Sequence, residues 1–145
     1  MKEELKLSNQ LCFPLYVVSK ELISKYTPIL KEYDLTYTQY IVLLALFEQK
    51  EMNVTALGEM VYLDSGTLSP LLKKLENKGF LRRFRDKNDE RNVKVTLTKE
   101  GEQLEDKLSN VPVTIAGCLN LSLEEAKSLY TLLYKTLGSM KEPKL

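Results

Sequence analysis

Residues 54–97 read VTALGEMVYLDSGTLSPLLKKLENKGFLRRFRDKNDERNVKVTL, and this stretch decides the fold. Asn53 is a cap residue ahead of a short predicted helix, which the turn-forming residues 63–67 interrupt. Gly79 ends a second helix in which leucines recur at helical spacing. Those leucines are Leu68, Leu71, Leu72 and Leu75. The pattern predicts a helix–turn–helix.

Two short strands are predicted after this pair of helices. They cover Phe80–Phe84 and Val93–Leu97, and the long polar loop Arg85–Asn92 joins them as a protruding hairpin. Helix, turn, helix, strand, charged loop and strand is the order of a winged helix-turn-helix. In that arrangement the second helix enters the major groove of duplex DNA, and the hairpin reaches the neighbouring backbone or minor groove.

Further helices are predicted on both sides of this unit. Residues 8–30 and 38–47 form two before it, residues 98–109 form one after it, and a capping box at Ser122 starts the last. Pro28 is expected to kink or end the first of them. The first and last helices are too apolar for solvated arms. We therefore expect a homodimer, whose two-fold symmetry suits a palindromic DNA site.

The predicted fold class is mainly α, a winged helix-turn-helix with flanking N- and C-terminal dimerisation helices. Residues 1–145 suit a single domain with one core, in which 54–97 form the DNA-binding lobe and 1–35 and 99–145 the dimerisation region. No apolar run approaches the roughly 18 residues of a membrane span, so no membrane partner is expected. The charged first residues lack the apolar core of a signal peptide, which predicts a cytoplasmic protein.

Charge is unevenly distributed along the chain. The whole chain has a formal net charge of +1, yet residues 65–95 hold nine Lys or Arg against four Asp or Glu, a local balance of +5. A basic segment on a nearly neutral protein indicates a polyanion partner, although a solvated charged face is the simpler alternative.

Little in the composition favours catalysis. The chain has two cysteines, Cys12 and Cys118, and no histidine. Their positions match no zinc spacing, so neither a metal nor another cofactor is expected. A Ser-His or Cys-His nucleophile pair is excluded because it needs an imidazole. We therefore predict no enzyme activity.

The start of the second helix of the predicted pair carries the candidate groove contacts. Hydroxyl groups there can bond base edges or phosphates, and lysines can bind phosphate. The candidates are Asp64, Ser65, Thr67, Ser69, Lys73 and Lys74. Capping of the helix is the alternative role for its first residues, and Pro70 suggests a cap nearer Thr67 than Asp64.

The hairpin carries the remaining DNA candidates, which are Arg83, Arg85, Asp89 and Arg91. Arginine at a hairpin tip suits a narrow, electronegative minor groove, so Arg91 is the favoured contact there. An ion pair of Arg91 with Asp89 or Glu90 is the alternative, and both can hold at once. The other arginines are expected to supply charge to the DNA backbone.

The segment from Leu57 to Gly101 resembles the MarR family of regulators. The resemblance rests on six short blocks, which in chain order are LGE at 57–59, LDSGTL at 63–68, LLKKLE at 71–76, KG at 78–79, DER at 89–91 and LTKEG at 97–101. It implies a homodimeric, DNA-binding winged helix in which the aspartate and arginine of the hairpin pair with each other.

A second set of residues resembles the OhrR/SarZ-like, thiol-sensing branch of that family. It comprises NQLCF at 9–13, Tyr16, Tyr26 and TYTQY at 36–40. The resemblance implies that Cys12 is a redox sensor and that Tyr26 and Tyr37 of the other subunit hold its thiolate. It also implies that Cys118 forms a disulfide with the sensor of the other subunit. Pro14 stands where the branch usually has an aliphatic residue.

From the residues alone, Cys12 fits packing as a small hydrophobe better than reactivity, and Cys118 fits either role. With the resemblance, we predict a homodimer that binds a pseudo-palindromic operator and is released by oxidation of Cys12. Organic peroxide or another oxidant would give a sulfenic acid, which condenses with Cys118 of the other subunit or with a low-molecular-weight thiol.

Three alternatives remain open from the sequence. The chain could be a regulator of the same fold that senses a small aromatic acid between the dimer helices and the DNA lobe. It could be a thiol-dependent peroxidase, or a protein–protein adaptor that kept the winged fold without binding DNA.

Overall fold

A computed structural model describes residues 2–140 of the chain. Helices and strands follow in the order α1 (Cys12–Lys31), α2 (Tyr37–Gln49), β1 (Glu51–Asn53), α3 (Val54–Val61), α4 (Ser65–Asn77), β2 (Leu81–Arg85), β3 (Val93–Leu97), α5 (Lys99–Leu108), α6 (Val111–Cys118) and α7 (Leu123–Met140). The fold is mainly helical with a small antiparallel sheet, which confirms the predicted winged helix-turn-helix with flanking helices.

The chain divides into two compact units, Met1–Val111 and Pro112–Leu145. The first unit holds the helix–turn–helix, the sheet and a leucine-rich core. Its most deeply buried residues include Tyr40, Leu43, Leu46, Leu57, Leu68, Leu72, Leu75, Leu81 and Val95. Every element from α2 to β3 contributes to this set except the short strand β1, so the lobe closes its core within one chain.

The N-terminal helix differs from its prediction at both ends. Short 3-10 turns occupy Glu3–Leu5 and Leu7–Asn9, and α1 begins only at Cys12. Pro14 is then the third residue of the helix, where an N–H has no intrahelical partner to lose. Pro28 does not end α1, which continues to Lys31, because the fully buried Leu30 packs its last turn.

The turn between α3 and α4 depends on two backbone features. Tyr62 has a left-handed conformation with φ of 57°. Gly58 lies so close to the turn that a Cβ on it would be 2.8 Å from the carbonyl oxygen of Leu63. The cap of α4 is Asp64 and not a residue nearer Thr67, so the prediction from Pro70 was wrong. Pro70 is the sixth residue of α4, so it lies beyond the first turn and cannot donate a bond to the carbonyl of Gly66.

The sheet has the order β1-β3-β2, and β1 was not predicted. Glu51 pairs with Thr96, and Asn53 pairs with Lys94. Three residues are too few to show the alternation that marks a strand in sequence. The strands β2 and β3 pair antiparallel from Leu81–Leu97 to Arg85–Val93, so the predicted hairpin is present, one residue late in its first strand.

Helix α5 ends at Leu108, and a separate helix, α6, begins at Val111 with Pro112 as its second residue. In the second unit, the capping box predicted at Ser122 is present. Its hydroxyl accepts the backbone N–H of Glu125 at 3.2 Å, and the Glu125 carboxylate accepts the N–H of Ser122 at 2.8 Å. None of the helices within residues 2–140 is long and apolar enough to cross a membrane.

Candidate DNA interface and thiol site

Helix α4 presents one polar face and one apolar face. Leu68, Leu71, Leu72 and Leu75 are buried. On the opposite side Ser69 and Lys73, four residues apart, are neighbours on the exposed surface, and Ser65 and Lys74 flank them. This short polar strip is what a helix needs in order to approach the edges of base pairs and the adjoining phosphates.

Asp64 is the N-cap of α4 and is engaged with Thr67. Its carboxylate accepts the backbone N–H of Thr67 at 2.9 Å and the hydroxyl of Thr67 at 3.2 Å. The backbone hydrogen bond from Thr67 is the largest cause that lowers the pKa of Asp64. Both side chains are therefore occupied in starting the helix, the alternative role that the sequence left open for its first residues.

The wing, the loop of residues 85–92, is held open by its own polar side chains. The Asp89 carboxylate accepts the backbone N–H of Arg91 at 3.1 Å and its Nε at 3.3 Å. Arg85 donates from Nη1 to the carbonyl of Glu90 at 2.6 Å. The Arg91 side chain is nevertheless 93% exposed. The predicted Asp89–Arg91 pair is present, and it leaves most of the guanidinium available to a partner.

Lys94 ties the base of the wing to β1. Its Nζ lies 3.2 Å from Oε1 of Glu51 and 3.3 Å from Oδ2 of Asp86. These hydrogen bonds raise the pKa of Lys94, with that from Glu51 the largest cause. The backbone N–H of Asn88 is the main cause that lowers the pKa of Asp86. Sequence reasoning missed this cluster because it depends on the register of an unpredicted strand.

Arg83 does not extend from the hairpin into solvent. It donates from Nη2 and Nε to Oε2 of Glu76 at 2.8 and 3.2 Å, and from its backbone N–H to Oε1 at 2.9 Å. Hydrogen bonding from the Arg83 side chain is the largest cause that lowers the pKa of Glu76. Of the four hairpin candidates, Arg83 is the one bound to the helix–turn–helix.

Cys12 and Cys118 are both exposed, and they do not form a disulfide with each other. Cys12 is the first residue of α1. The packing alternative for Cys12 would require burial, which the single chain does not provide. Cys118, in the second unit, is the last residue of α6, and its Sγ donates to the carbonyl of Thr114 at 3.6 Å.

Tyr26 and Tyr37 lie together in an aromatic cluster. Their ring centroids are 4.8 Å apart, and Tyr40 stacks at 5.6 Å from Tyr26. Burial, and secondarily the neighbouring phenols, raise the pKa of Tyr26 to about 12, and burial raises the pKa of Tyr37 and Tyr40. The hydroxyls therefore stay protonated near neutral pH and can donate hydrogen bonds. Tyr40 was missed, although its place three residues after Tyr37 in a helix was the available signal.

Cys12 and Tyr26 cannot meet within one chain. They are the first and fifteenth residues of the same helix. At 1.5 Å rise per residue the helix separates them by about 21 Å. Any hydrogen bond between the two therefore needs a second copy of the chain.

Large apolar side chains remain exposed in each unit. In the first unit they crowd the N-terminal half of α1 and the residues before it, namely Leu7, Leu11, Phe13, Leu15, Tyr16 and Val18. In the second unit they line α7, namely Leu123, Leu129, Tyr130, Leu132, Leu133 and Tyr134. Contiguous apolar surface of this kind marks an interaction site.

An exposed polar helix in a helix–turn–helix, followed by a basic hairpin, defines a winged-helix DNA-binding regulator. The chain belongs to the SarA/Rot family of transcriptional regulators, whose model matches residues 24–108. It is 51% identical over 123 residues to the HTH-type transcriptional regulator SarZ of Staphylococcus aureus strain USA300, a match that covers 85% of this chain and 83% of the relative. The predicted resemblance to MarR-type, SarZ-like regulators is confirmed.

Solved structures of AbfR, a protein of Staphylococcus epidermidis, are also similar to the chain. Reduced AbfR bound to DNA is 36% identical with a TM-score of 0.79, covering 97% of this chain and 98% of that one. Disulfide-formed AbfR is 35% identical with a TM-score of 0.70, covering 97% of this chain and 96% of that one. The chain is therefore a DNA-binding transcriptional regulator of the SarZ/AbfR type.

Proposed function

We propose that the chain is a homodimeric regulator that binds a pseudo-palindromic operator when reduced and leaves it when Cys12 is oxidised. The observation that carries this proposal is the separation of about 21 Å along α1 between the exposed thiol of Cys12 and Tyr26, which contacts Tyr37 of α2. A thiolate site assembled from these groups has to join two subunits. Its oxidation can therefore change the arrangement of the dimer.

The DNA half of the proposal assigns roles along α4 and the wing. Ser65, Ser69, Lys73 and Lys74 face the major groove and its phosphates, while Asp64 and Thr67 hold the helix start that presents them. Arg91 enters the minor groove, with Asp89 limiting its motion, and Arg85 adds charge beside the backbone.

In the proposed dimer, residues 1–35 and 99–145 form the dimerisation region and residues 54–97 form the DNA lobe. Support comes from the exposed apolar side chains of α1 and α7. Removing apolar surface from water contributes roughly 25 cal/mol per Å², so a second copy that covers these stripes gains several kcal/mol. Two recognition helices related by a two-fold axis then meet two half-sites of the operator.

In the proposed redox switch, Cys12 of one subunit lies against Tyr26 and Tyr37 of the other. The phenol hydroxyls donate to the sulfur and stabilise its thiolate. The thiolate attacks the terminal oxygen of a hydroperoxide and the O–O bond breaks, which leaves the sulfur as a sulfenic acid. The alkoxide leaves and takes a proton from water to become the alcohol. The resulting sulfenic acid then condenses with a thiol, forming an S–S bond and releasing water. That thiol is Cys118 of the other subunit or a small cellular thiol.

We expect a switch and not a catalyst. One oxidant is consumed per Cys12, and turnover would require an outside reductant. Loss of the phenol–sulfur hydrogen bonds alters the spacing of the two recognition helices. A shift of a few kcal/mol between two dimer arrangements is enough to empty the operator. Because its partner is DNA, we place the action of the protein in the cytoplasm.

Titration of reduced protein against duplexes selected from a random DNA library tests the whole proposal. We expect tight, salt-dependent binding to an inverted repeat and release after cumene hydroperoxide is added. Cys12→Ser should bind but no longer respond. If Cys12→Ser dissociates under oxidant like the wild type, Cys12 is not the sensor. Cys118→Ser distinguishes the two candidate thiols. If a small thiol completes the reaction, the Cys118→Ser protein should still leave the DNA when oxidant is added.

A second candidate function is the sensing of a small aromatic acid. A cavity of about 390 Å³ in the first unit favours it, with Ile23, Leu35 and Tyr37 as apolar lining and Thr27, Lys31 and Lys74 among the polar lining. A carboxylate could bond the ammonium groups while its ring contacts the apolar wall. Thermal shift with salicylate, compared between wild type and Lys31→Gln, distinguishes this function, and the cysteines would then be dispensable.

A further inference from the structure

The contact between Glu76 and Arg83 joins the two elements that are proposed to hold DNA. Glu76 lies in the last turn of α4, and Arg83 is the central residue of β2. One carboxylate accepts three hydrogen bonds from a single residue, two from the guanidinium and one from the backbone N–H. Charge-assisted bonds of this kind restrict geometry as well as contributing energy.

The position of Arg83 in the sheet explains why its side chain turns inward. Arg83 is the cross-strand partner of Val95, which is 0% exposed. Directly opposed residues of an antiparallel pair lie on the same face of the sheet. Arg83 is therefore on the face that packs against the helices, next in alternation to the buried Leu81, and its side chain is only 29% exposed.

The backbone contact solves a separate structural problem. Strand β2 is at the edge of the sheet, because the order is β1-β3-β2. An edge strand leaves alternate N–H groups without a partner in the sheet. The Arg83 N–H is one such group, and Glu76 accepts it. Helix α4 thus covers the strand edge and fastens it at the same point.

We infer that Arg83 is a positioning residue and not a DNA contact. The Glu76–Arg83 pair fixes the base of the hairpin against the end of the recognition helix, so that the wing and α4 reach DNA at a set spacing. This inference rests on the proposed function, in which both elements contact one duplex. It also replaces the sequence-based expectation that Arg83 supplies charge to the phosphates.

Glu76→Gln distinguishes a positioning role of Arg83 from a phosphate contact, because the two roles predict opposite changes in DNA affinity. The substitution removes a negative charge from the DNA lobe, and phosphate electrostatics alone would then tighten binding. Loss of positioning instead weakens binding to the selected inverted-repeat duplex, by about five- to tenfold. Glu59→Gln is the matched control, because it makes the same change of charge at an exposed residue of the neighbouring helix α3.

The charge-swapped double variant Glu76→Arg with Arg83→Glu separates geometry from charge. It keeps the net charge of the lobe and can re-form the ion pair, but arginine at 76 cannot accept the backbone N–H of residue 83. We therefore expect it to recover part of the affinity lost in Arg83→Glu alone. A direct phosphate contact by Arg83 would not be restored by the swap. Thermal melting of each variant confirms that the proteins compared are folded.

Two further readouts decide the inference. Hydroxyl-radical footprinting of Glu76→Gln should lose protection in the minor groove beside the wing while protection under α4 persists. Amide hydrogen exchange of the free protein should become faster across residues 81–97 and not within α4.

Tighter binding by Glu76→Gln, or unchanged exchange at 81–97, overturns the positioning role. Failure of the wild type to bind any selected duplex would instead contradict the proposed function, and the exchange experiment would still decide the role of the pair.

Discussion

The proposed DNA lobe, residues 54–97, and the helices that flank it differ in how far their apolar side chains are buried. In the lobe, leucines of α3 and α4 and Val95 of β3 are covered within one chain, and each helix start carries a side-chain cap. In α1 and α7 large apolar side chains remain exposed. The apolar side chains of the lobe are covered as it stands, whereas the flanking helices keep apolar surfaces and a thiol exposed, which under the proposed function a second copy covers. Control of DNA binding is expected where the single chain is incomplete.

The largest expected effect comes from a substitution at Gly101 of α5, where the flanking region lies directly against Phe80 of the lobe. A Cβ there would lie 1.9 Å from the carbonyl oxygen of Phe80, which the N–H of Thr98 already uses. Gly101→Ala must displace the backbone between the hairpin and α5, so we expect a loss of roughly 3 kcal/mol or more in the free energy of unfolding. Urea denaturation followed by circular dichroism measures it.

Gly138→Ala is the control for that experiment. Within the described residues 2–140, no heavy atom outside the helix's own backbone and chain neighbours lies within 4 Å of a Cβ at Gly138 in α7, so alanine should raise stability by roughly 0.5–1 kcal/mol through helix propensity. Equal losses at the two glycines would mean that close packing against the lobe is not what distinguishes them.

A charged residue introduced on α7 should weaken the proposed dimer and leave the fold of the lobe unchanged. Leu132 is 59% exposed in the single chain. If a second copy covers it, Leu132→Glu places an unpaired carboxylate in an apolar interface. The dissociation constant of the dimer should then rise by roughly 100-fold. Analytical ultracentrifugation measures the change, with Lys127→Glu as a charged control on the same helix. A dimer of undiminished affinity would exclude Leu132 from the interface.

Arg91→Ala should weaken DNA binding without affecting the fold. Its side chain is 93% exposed, and its hydrogen bonds among the described residues are to Asp89 of the same hairpin, so the melting temperature should stay the same. We expect a loss of about 1–3 kcal/mol in binding to the selected duplex. Fluorescence anisotropy in increasing salt tests this against Lys99→Ala, a control at an exposed lysine beyond the hairpin. An affinity equal to that of the wild type would exclude Arg91 as a DNA contact, whereas binding that no duplex or salt concentration changes in either protein would favour the adaptor alternative.

The smallest effect concerns the cap of α4 and depends on pH. Hydrogen bonds from Thr67 lower the pKa of Asp64 in the folded protein, so the folded state favours the carboxylate. The stability this contributes is present above the unfolded value of 3.8 and is lost as the pH falls through the lower, folded pKa. Asp64→Asn keeps a capping oxygen but cannot titrate. Its melting temperature should therefore fall less steeply than that of the wild type below pH 4, as calorimetry at several pH values can measure.

Most of the fold was predictable because its signals are local. The leucines of α4 recur at helical spacing, and Gly79 adopts the positive φ of 78° that a helix end requires. The start of α4 was misplaced because Pro70 suggested a later cap, whereas the two hydrogen bonds from Thr67 to Asp64 begin the helix earlier. Strand β1 was missed because three residues acquire strand character only through their pairing with β3.

The candidate site divides in the same way. Arg91 could be chosen from its place at a hairpin tip, and its pairing with Asp89 is local in sequence. Arg83 looked equivalent to its neighbours in an Arg-rich strand, and nothing in its sequence context indicated that it faces inward. That orientation follows from strand register and from Glu76, seven residues earlier on another element.

The sequence by itself determined the helix–turn–helix, the basic hairpin, the absence of histidine chemistry and the resemblance that singled out Cys12. These depend on residue type, on spacing along the chain and on comparison with a family. Only the tertiary structure decided that Tyr26, Tyr37 and Tyr40 share one cluster and that Arg83 binds Glu76. Burial and register arise when separate elements pack together, so distances across the fold cannot be read from neighbouring residues alone.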